Sequence, residues 1–376
     1  MVVGASQQSG SLPAPPAPPL GTVIAKLVDP DTARNAQFGN AVAVYGSTVV
    51  AGCQVESSAI IYRTDGTRVA KLTEPNFLFG AAVGVSEAAV VVGQPTYRTP
   101  PSAYGAYNSG VVRVYSTDGS QELVTLSAGD KAVDGTSPRF GTAVAISGEK
   151  IVVGACKPGF GGGAGAAYVY NTAGTQLAKL LPSSPDQYSF FGDAVAISGD
   201  TIVVGARNAR STSSSSNRIG AAYVFDAAGT QLATLAVVDA TSFGQSVAIS
   251  GDTVIVGSNG AAYVFDTAGT LLRTLTRAAS GFGVSVGISD SVLLVGSSGD
   301  SSSPTDAGAV HVYSTAGAEL ATLSPTGAGT AYDKLGEVIA LSGSIIVAGA
   351  AGDDNHGEDF GSAGSTGAVY IYAGPP

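Results

Sequence analysis

Tryptophan is absent from this chain, methionine occurs once, and histidine and cysteine occur twice each among 376 residues. Each scarcity removes a class of function. With two histidines, one of them (His311) inside a strand-like stretch, no Ser-His-Asp or Cys-His set can be assembled. There is no GxSxG elbow, no zinc-ligand spacing and no Gly-rich phosphate loop leading from a strand into a helix. A pair of carboxylates across a central channel is all that glycoside hydrolysis would require, and this is the one enzymatic route left open; the expectation is that the protein is not an enzyme. Charged residues are 12% of the chain, about half the ordinary share. The net charge of -10 arises from 28 acidic and 18 basic residues with no run of Lys or Arg, so nucleic acid is not an expected partner. No apolar run reaches the roughly 18 residues that span a bilayer, and the N-terminus lacks a basic-then-apolar secretory pattern. A soluble chain is expected, from which a signal peptide could have been removed. Cys53 and Cys156 sit at matching points of two non-adjacent repeats, too far apart for a disulfide; buried thiols are expected.

What the chain has in abundance is glycine, with 52 residues, and a repeat. "FGTAVAISGEKIVVGA" at 140–155 returns as "FGDAVAISGDTIVVGA" at 191–206 and "FGQSVAISGDTVIVGS" at 243–258. Counting from the Phe-Gly pair, copies start at Phe38, Phe79, Phe140, Phe191, Phe243, Phe282 and, with Leu for Phe, Leu335. Alternating small and β-branched residues, a short turn and a Val/Ile run describe a hairpin. Both faces of that hairpin are apolar, so neighbouring copies must cover it on both sides.

A second block follows each copy at a variable distance: "GAAYVYNTAGTQLAKL" at 165–180 and "GAAYVFDAAGTQLATL" at 220–235 read as a third strand, a Gly-containing turn and a fourth strand. The recurring aromatics Tyr168, Tyr223, Phe225 and Tyr263 are expected in the core, with His311 standing structurally where a tyrosine is usual. Four antiparallel strands repeated every 39 to 61 residues predict an all-β, seven-bladed β-propeller. The seventh copy ends after its third strand, "GAVYIYAGPP", while "GTVIAKL" at 21–27 nearly duplicates the fourth strand "GTRVAKL" at 66–72. Residues 21–28 are therefore expected to complete the last blade and close the ring, hiding two sheet edges. This gives one propeller over 21–376 and a Pro-rich arm over 1–20, whose "SLPAPPAPPL" favours a polyproline conformation and serves as a tether.

The Phe-Gly to Val-Val-Gly-Ala units resemble the FG-GAP repeats of the integrin α-subunit propeller and its bacterial and algal relatives, over residues 21–372. The resemblance implies a binding or adhesion module at an extracellular or other surface. Repeats of this kind often carry an Asp-rich calcium loop between the first and second strands. Here the turns are "YGS", "SEA", "SGE", "SGD", "SGD", "SDS" and "SGS", with too few carboxylates for the six to eight oxygens calcium takes. No cofactor is expected, and the family's metal loops are expected to be missing.

Variable links between second and third strands, and from each fourth strand to the next copy, emerge on one side of an antiparallel blade; the uniform turns emerge on the other. Function is expected on the irregular side. Tyr97, Tyr104 and Tyr107, in a Pro/Gly/Tyr-rich loop, are candidate anchors for a glycan or protein, although the lack of Trp weakens a lectin reading. Arg207, Arg210 and Arg218, in a Ser-rich loop, are candidates for an acidic partner, against a solvated loop. Asp353, Asp354, His356, Glu358 and Asp359, in "GDDNHGEDFG", are the candidate site for Ca2+ or another cation, against Asp side chains that only organise the turn. The expected function is non-enzymatic: a module presenting loops to a protein or glycan, or else a structural component of a larger surface assembly held through residues 1–20.

Overall fold

The computed structural model describes residues 17–31, 36–75, 77–95, 110–129, 139–156, 163–210, 218–300, 307–325, 332–353 and 365–375. Among the described residues, every regular element is a strand. Twenty-eight strands form seven antiparallel sheets of four. These are the blades of a β-propeller: I (42–73), II (82–126), III (140–180), IV (194–235), V (246–276), VI (280–323) and VII (338–373). The first strand of each blade touches that of the next all the way round, Val338–Ser342 meeting Val42–Tyr45, so the ring is closed.

Closure uses the predicted strand. Val23–Leu27 adds to the outer edge of Ala368–Ala373, with Leu27 opposite Val369 and Lys26 opposite Tyr370. Gly21 N–H donates to the Ala373 carbonyl and Ala373 N–H to that of Thr22, both at 2.8 Å. The last blade thus contains both ends of the propeller.

The Phe-Gly pair is an inter-blade clasp. The carbonyl before the Phe accepts from the N–H three residues on, as from Asn40 to Gln37, Thr142 to Arg139 and Asp193 to Phe190, each at 3.1 Å. The glycine at the third position has φ of +86 at Gly39 and +88 at Gly192, the geometry of a type II turn, which demands glycine there. The Phe side chain goes into the core, fully buried in all six copies that have it. Its N–H reaches the preceding blade: Phe191 donates to Ala164 at 3.0 Å and Phe243 to Ile219 at 2.9 Å. The second conserved glycine of the unit completes the joint. At Gly52, Gly93, Gly154, Gly205, Gly257, Gly296 and Gly349, a Cβ would collide with the carbonyl of the next blade's Phe-Gly glycine. Gly349 against Gly39 closes that circle.

Each core cluster correspondingly joins two blades. Val152, Val169 and Leu180 of blade III pack against Phe191, Ile202 and Val204 of blade IV. Within blade IV, the Phe191 ring meets Tyr223 and Phe225 edge-on at 5.4 and 6.0 Å. The second and third strands are covered on both faces, as both their apolar faces require. The outer strands differ from that rule: in Gln176–Leu180 only Leu180 is fully buried. Blades diverge with radius, so a wedge leaves one face of its rim strand in water. Cys53 and Cys156 are free and buried. They are not equivalent, since Cys53 ends its strand, Thr48–Cys53, whereas Cys156 lies one residue beyond Lys150–Ala155.

Candidate binding face

The repeat assigns the two sides of the disc different chemistry. All turns between first and second strands and between third and fourth strands leave on one side. They carry Glu87, Glu149, Asp200, Asp252 and Asp290 around the axis, and Asp65, Asp118, Asp226 and Asp266 farther out. Many of these carboxylates organise their own turns: Asp226 and Asp266 each accept the N–H four residues on at 2.7 Å. Ser116 and Ser120 hydroxyls and the Ser120 amide hold Asp118 well below the usual carboxylate range, at about 2. Serines stitch this side together across blades: Gly199 donates to Ser147 and Gly251 to Ser198, both at 3.2 Å. The uniform face is thus acidic, hydrophilic and internally tied.

Of the two faces of the disc, the irregular one carries most of the apolar exposure. Val28, Val55, Phe77, Leu181, Tyr188, Val238 and Tyr332 are exposed there, Phe77 at 69% and Val238 at 68%. Among the large apolar side chains on the turns of the opposite face, Tyr45 is the exposed one. A third surface, the rim, repeats one aliphatic residue per blade: Ile24, Val69, Leu123, Leu177, Leu232, Leu272 and Leu320 are all exposed.

Between the faces runs the axial channel, lined by all seven first strands. Its mid-section is a sleeve of Val and Ile with Ala or Gly between them, such as Val195, Ala196 and Ile197. Its mouth on the irregular face is polar, with Asn40, Thr142, Asp193, Gln245 and Glu337. Asp193 is engaged by Arg207 at 2.9 Å. A carboxylate pair there would have to include that already paired acid.

The three arginines are all ion-paired, with Arg218 largely covered and Arg207 and Arg210 still about half exposed. Arg207 lies over the Phe190 ring at 5.3 Å besides pairing with Asp193. Arg218 bonds Asp186 at 3.1 Å and the carbonyls of Asn208 and Gln187 at 2.6 and 2.8 Å. Arg210 approaches the same carboxylate at 3.5 Å and donates its N–H to it at 2.9 Å. Asp186 is therefore the staple of this link, and sequence reading missed it because it sits in the preceding interblade segment.

Asp353 is buried beneath the closing strand. Its Oδ2 accepts from the Tyr370 hydroxyl at 2.8 Å and pairs with Lys26 at 2.8 Å, while its carbonyl accepts from Thr366 and Gly367. Burial first, and then the Asp353 charge, push the Tyr370 phenol upward. Among the described residues no group of three or more His, Cys, Asp or Glu side chains is arranged to hold a metal. Asp354, His356, Glu358 and Asp359, like Tyr97, Tyr104 and Tyr107, lie outside the described residues. His311 is fully buried against Phe282 at 5.6 Å, its Nε2 3.5 Å from Asp300 and its Nδ1 3.3 Å from Thr322. Burial holds it below the ordinary histidine range, as a neutral core residue.

At the seam between blades VII and I, the irregular face sinks into a cavity of about 280 Å3 beside the channel mouth. Gln37, Asn40, Gln54, Tyr332, Lys334, Glu337 and Ser365 contribute its polar lining. No single repeat spells this site, because blades at opposite ends of the sequence build it.

Fold and surface together define a seven-bladed propeller with a regular acidic face and an irregular, partly apolar one. The FG-GAP repeat family model matches residues 22–59, 122–170 and 175–225. Each matched segment begins at or beside a rim strand and continues into the first three strands of the next blade, the same one-strand offset that closes the ring. The chain is an FG-GAP repeat propeller. No curated protein matches it. Among solved structures it is similar to the computationally designed Ika8 protein, at 17% identity and a TM-score of 0.54, covering 94% of this chain and 100% of that one. It is also similar to U3-55K, at 12% identity and a TM-score of 0.59, covering 93% and 98%. These likenesses concern the fold alone. A propeller of this kind is compatible with a binding or structural module. No helix among the described residues is long and apolar enough to cross a membrane.

Proposed function

We propose that this propeller is a non-enzymatic binding module, extracellular or surface-associated, whose irregular face engages a protein or glycan partner. The observation that carries this reading is the segregation of exposed apolar side chains. On a frame repeated seven times, Phe77 and Val238 stand more than two-thirds exposed on irregular links, whereas the opposite turns carry carboxylates. Exposed apolar groups rimmed by polar ones mark interaction surfaces. The commonness of FG-GAP repeats in extracellular proteins supports the location. A rigid ring suits the role because it holds the links apart without itself having to order on binding.

The test is attachment of fluorescent full chain to glycoprotein-coated and glycan-coated surfaces. Phe77→Ser and Val238→Ser should lower attachment together with unchanged melting, and Asp252→Lys on the opposite face should leave it intact. Equal attachment by all four proteins, or loss only with Asp252→Lys, would overturn the assignment of the face.

The rim favours a second reading, a structural component of a larger assembly. Seven aliphatic side chains at one height around the edge suit lateral packing, and residues 17–19 leave the propeller exposed beside the closing strand. Removing residues 1–16, which leaves Leu20 against the core of blade VII, should abolish assembly but spare surface attachment if the arm is a tether.

A further inference from the structure

We infer that the cavity at the seam between blades VII and I is a subsite for a neutral saccharide unit with adjacent hydroxyl groups. The inference rests on the irregular face being the binding face, and narrows its ligand. A volume of about 280 Å3 lies just below the usual range for small-molecule pockets, roughly 300 Å3 upward. It suits one or two sugar rings better than a folded peptide.

The lining is arranged to give and take hydrogen bonds in pairs. Gln54 is anchored by its backbone N–H on Asn40 Oδ1 at 3.0 Å, and its Nε2 donates to Gln37 Oε1 at 3.3 Å. That bond leaves the Gln54 carbonyl oxygen as an acceptor and further N–H of Gln37 as a donor on the cavity wall. Neighbouring sugar hydroxyls, each able to donate and accept, match such a couple. Lys334 and Glu337 add one donor-only and one acceptor-only group. They line the same cavity, yet neither forms an ion pair with the other or with another described residue.

Net charge decides the class of ligand. One ammonium and one carboxylate leave the wall formally neutral, and the whole chain carries -10, which disfavours a polyanionic glycan. A cation would find a single carboxylate in the lining. Tyr332, 41% exposed, supplies a ring edge or face for the apolar side of a sugar. Its position is fixed from below: the Tyr332 carbonyl lies against Gly352, where any Cβ would collide, and Gly352 N–H donates to Asp333 at 3.1 Å. The site is thus assembled by ring closure and ready before the ligand arrives.

The experiment is saturation-transfer NMR of the full chain with methyl glycosides of neutral hexoses and N-acetylhexosamines, and with a zwitterionic dipeptide. At least one neutral sugar should bind saturably. Glu337→Gln and Gln54→Ala should each weaken it about tenfold or more, as expected for losing a hydrogen bond to a charged or fixed partner. Tyr332→Phe should bind better than Tyr332→Ala, and Asp252→Asn should match the unaltered chain. No saturable sugar, unaltered binding in folded Glu337→Gln, or displacement of the sugar by none of its relatives but only by the dipeptide would overturn the proposal. If sugars fail while Phe77→Ser and Val238→Ser still reduce surface attachment, the subsite falls and the binding face stands.

Discussion

Replacing Gly205 by alanine should loosen the joint between blades IV and V more than any exposed glycine replacement can. Gly205 lies in an ordinary strand conformation within Thr201–Ala206, and what an added methyl would meet is the Gly244 backbone carbonyl of the next blade. Backbone cannot rotate away as a side-chain tip can, so blades must part or the strand must bend. Overpacking of this sort costs about 1–3 kcal/mol, with the upper end expected against backbone, while the stiffer unfolded chain returns about 0.4–1 kcal/mol. Gly199, in the uniform turn of the same blade, is the control. It has φ +58 and nothing within contact of an added Cβ, so Gly199→Ala carries only the left-handed penalty of about 1–2 kcal/mol, partly offset in the same way. At about 2.1 cal/mol/K per residue, a 376-residue unit has an unfolding entropy near 0.8 kcal/mol/K. Gly205→Ala should then lower Tm by roughly 3 °C, and Gly199→Ala by roughly 1 °C. Urea titrations followed by circular dichroism should rank them in the same order. Equal losses, or a larger loss at Gly199, would refute the clasp as the reason for the second repeated glycine.

Asp353→Asn should weaken the closing strand, since the amide can still accept from Tyr370 but no longer pairs with Lys26. Because Lys26 is one-third exposed, the loss should be about 1 kcal/mol, read as faster amide exchange in Val23–Leu27 and not in Gln176–Leu180. Unchanged exchange at the closing strand would remove the ion pair from the latch. Burial pushes Cys53 up to about 11 and Cys156 up to about 12. A disulfide reagent at neutral pH should therefore label neither thiol in the folded chain and both after denaturation. The sign follows from the raised values: stability from the buried neutral thiols is complete below the unfolded value near 9 and is lost as pH rises toward 11 and 12. Cys53→Ala with Cys156→Ala should flatten that alkaline decline, and an unchanged slope would contradict it. Replacing Ser116 and Ser120 together by alanine should raise the Asp118 titration from about 2 toward the ordinary carboxylate range in an NMR pH series, whereas no movement would show that the two hydroxyls do not hold it.

The blades were legible because their determinants are local and written seven times. A Phe, or Leu335 in the seventh copy, before a glycine that must turn, and a second glycine that must meet a neighbour's carbonyl, appear together in every copy; only packing partners had to be supplied by the ring. The closing strand was equally legible, since its five residues obey the same in-and-out rule as the other rim strands. The seam cavity was not, because Gln37 and Gln54 come from the first blade and Tyr332, Lys334 and Glu337 from the approach to the last. Nothing about their spacing predicts adjacency, which arises only when the ring shuts. The partners of Arg207, Arg210 and Arg218 were hidden for a related reason: Asp186 and Asp193 arrive from other segments and pair with them, while Arg207 and Arg210 stay about half exposed. The acidic turns could have been noticed, as one carboxylate per turn is invisible singly and becomes a field only when the turns are placed on one side.

That division of labour also constrains the chemistry of recognition. The repeated residues must satisfy blade-to-blade contacts and are not free to follow a ligand, so specificity has to come from side chains that break the repeat. Glu337 shows both constraints at once: its backbone N–H closes the Phe-Gly-type turn on the Lys334 carbonyl, while its side chain stands at a position where the other blades have Asn, Ala, Thr, Asp, Gln and Val. Replacing that side chain by glutamine should alter what the seam accepts without altering how the blades meet.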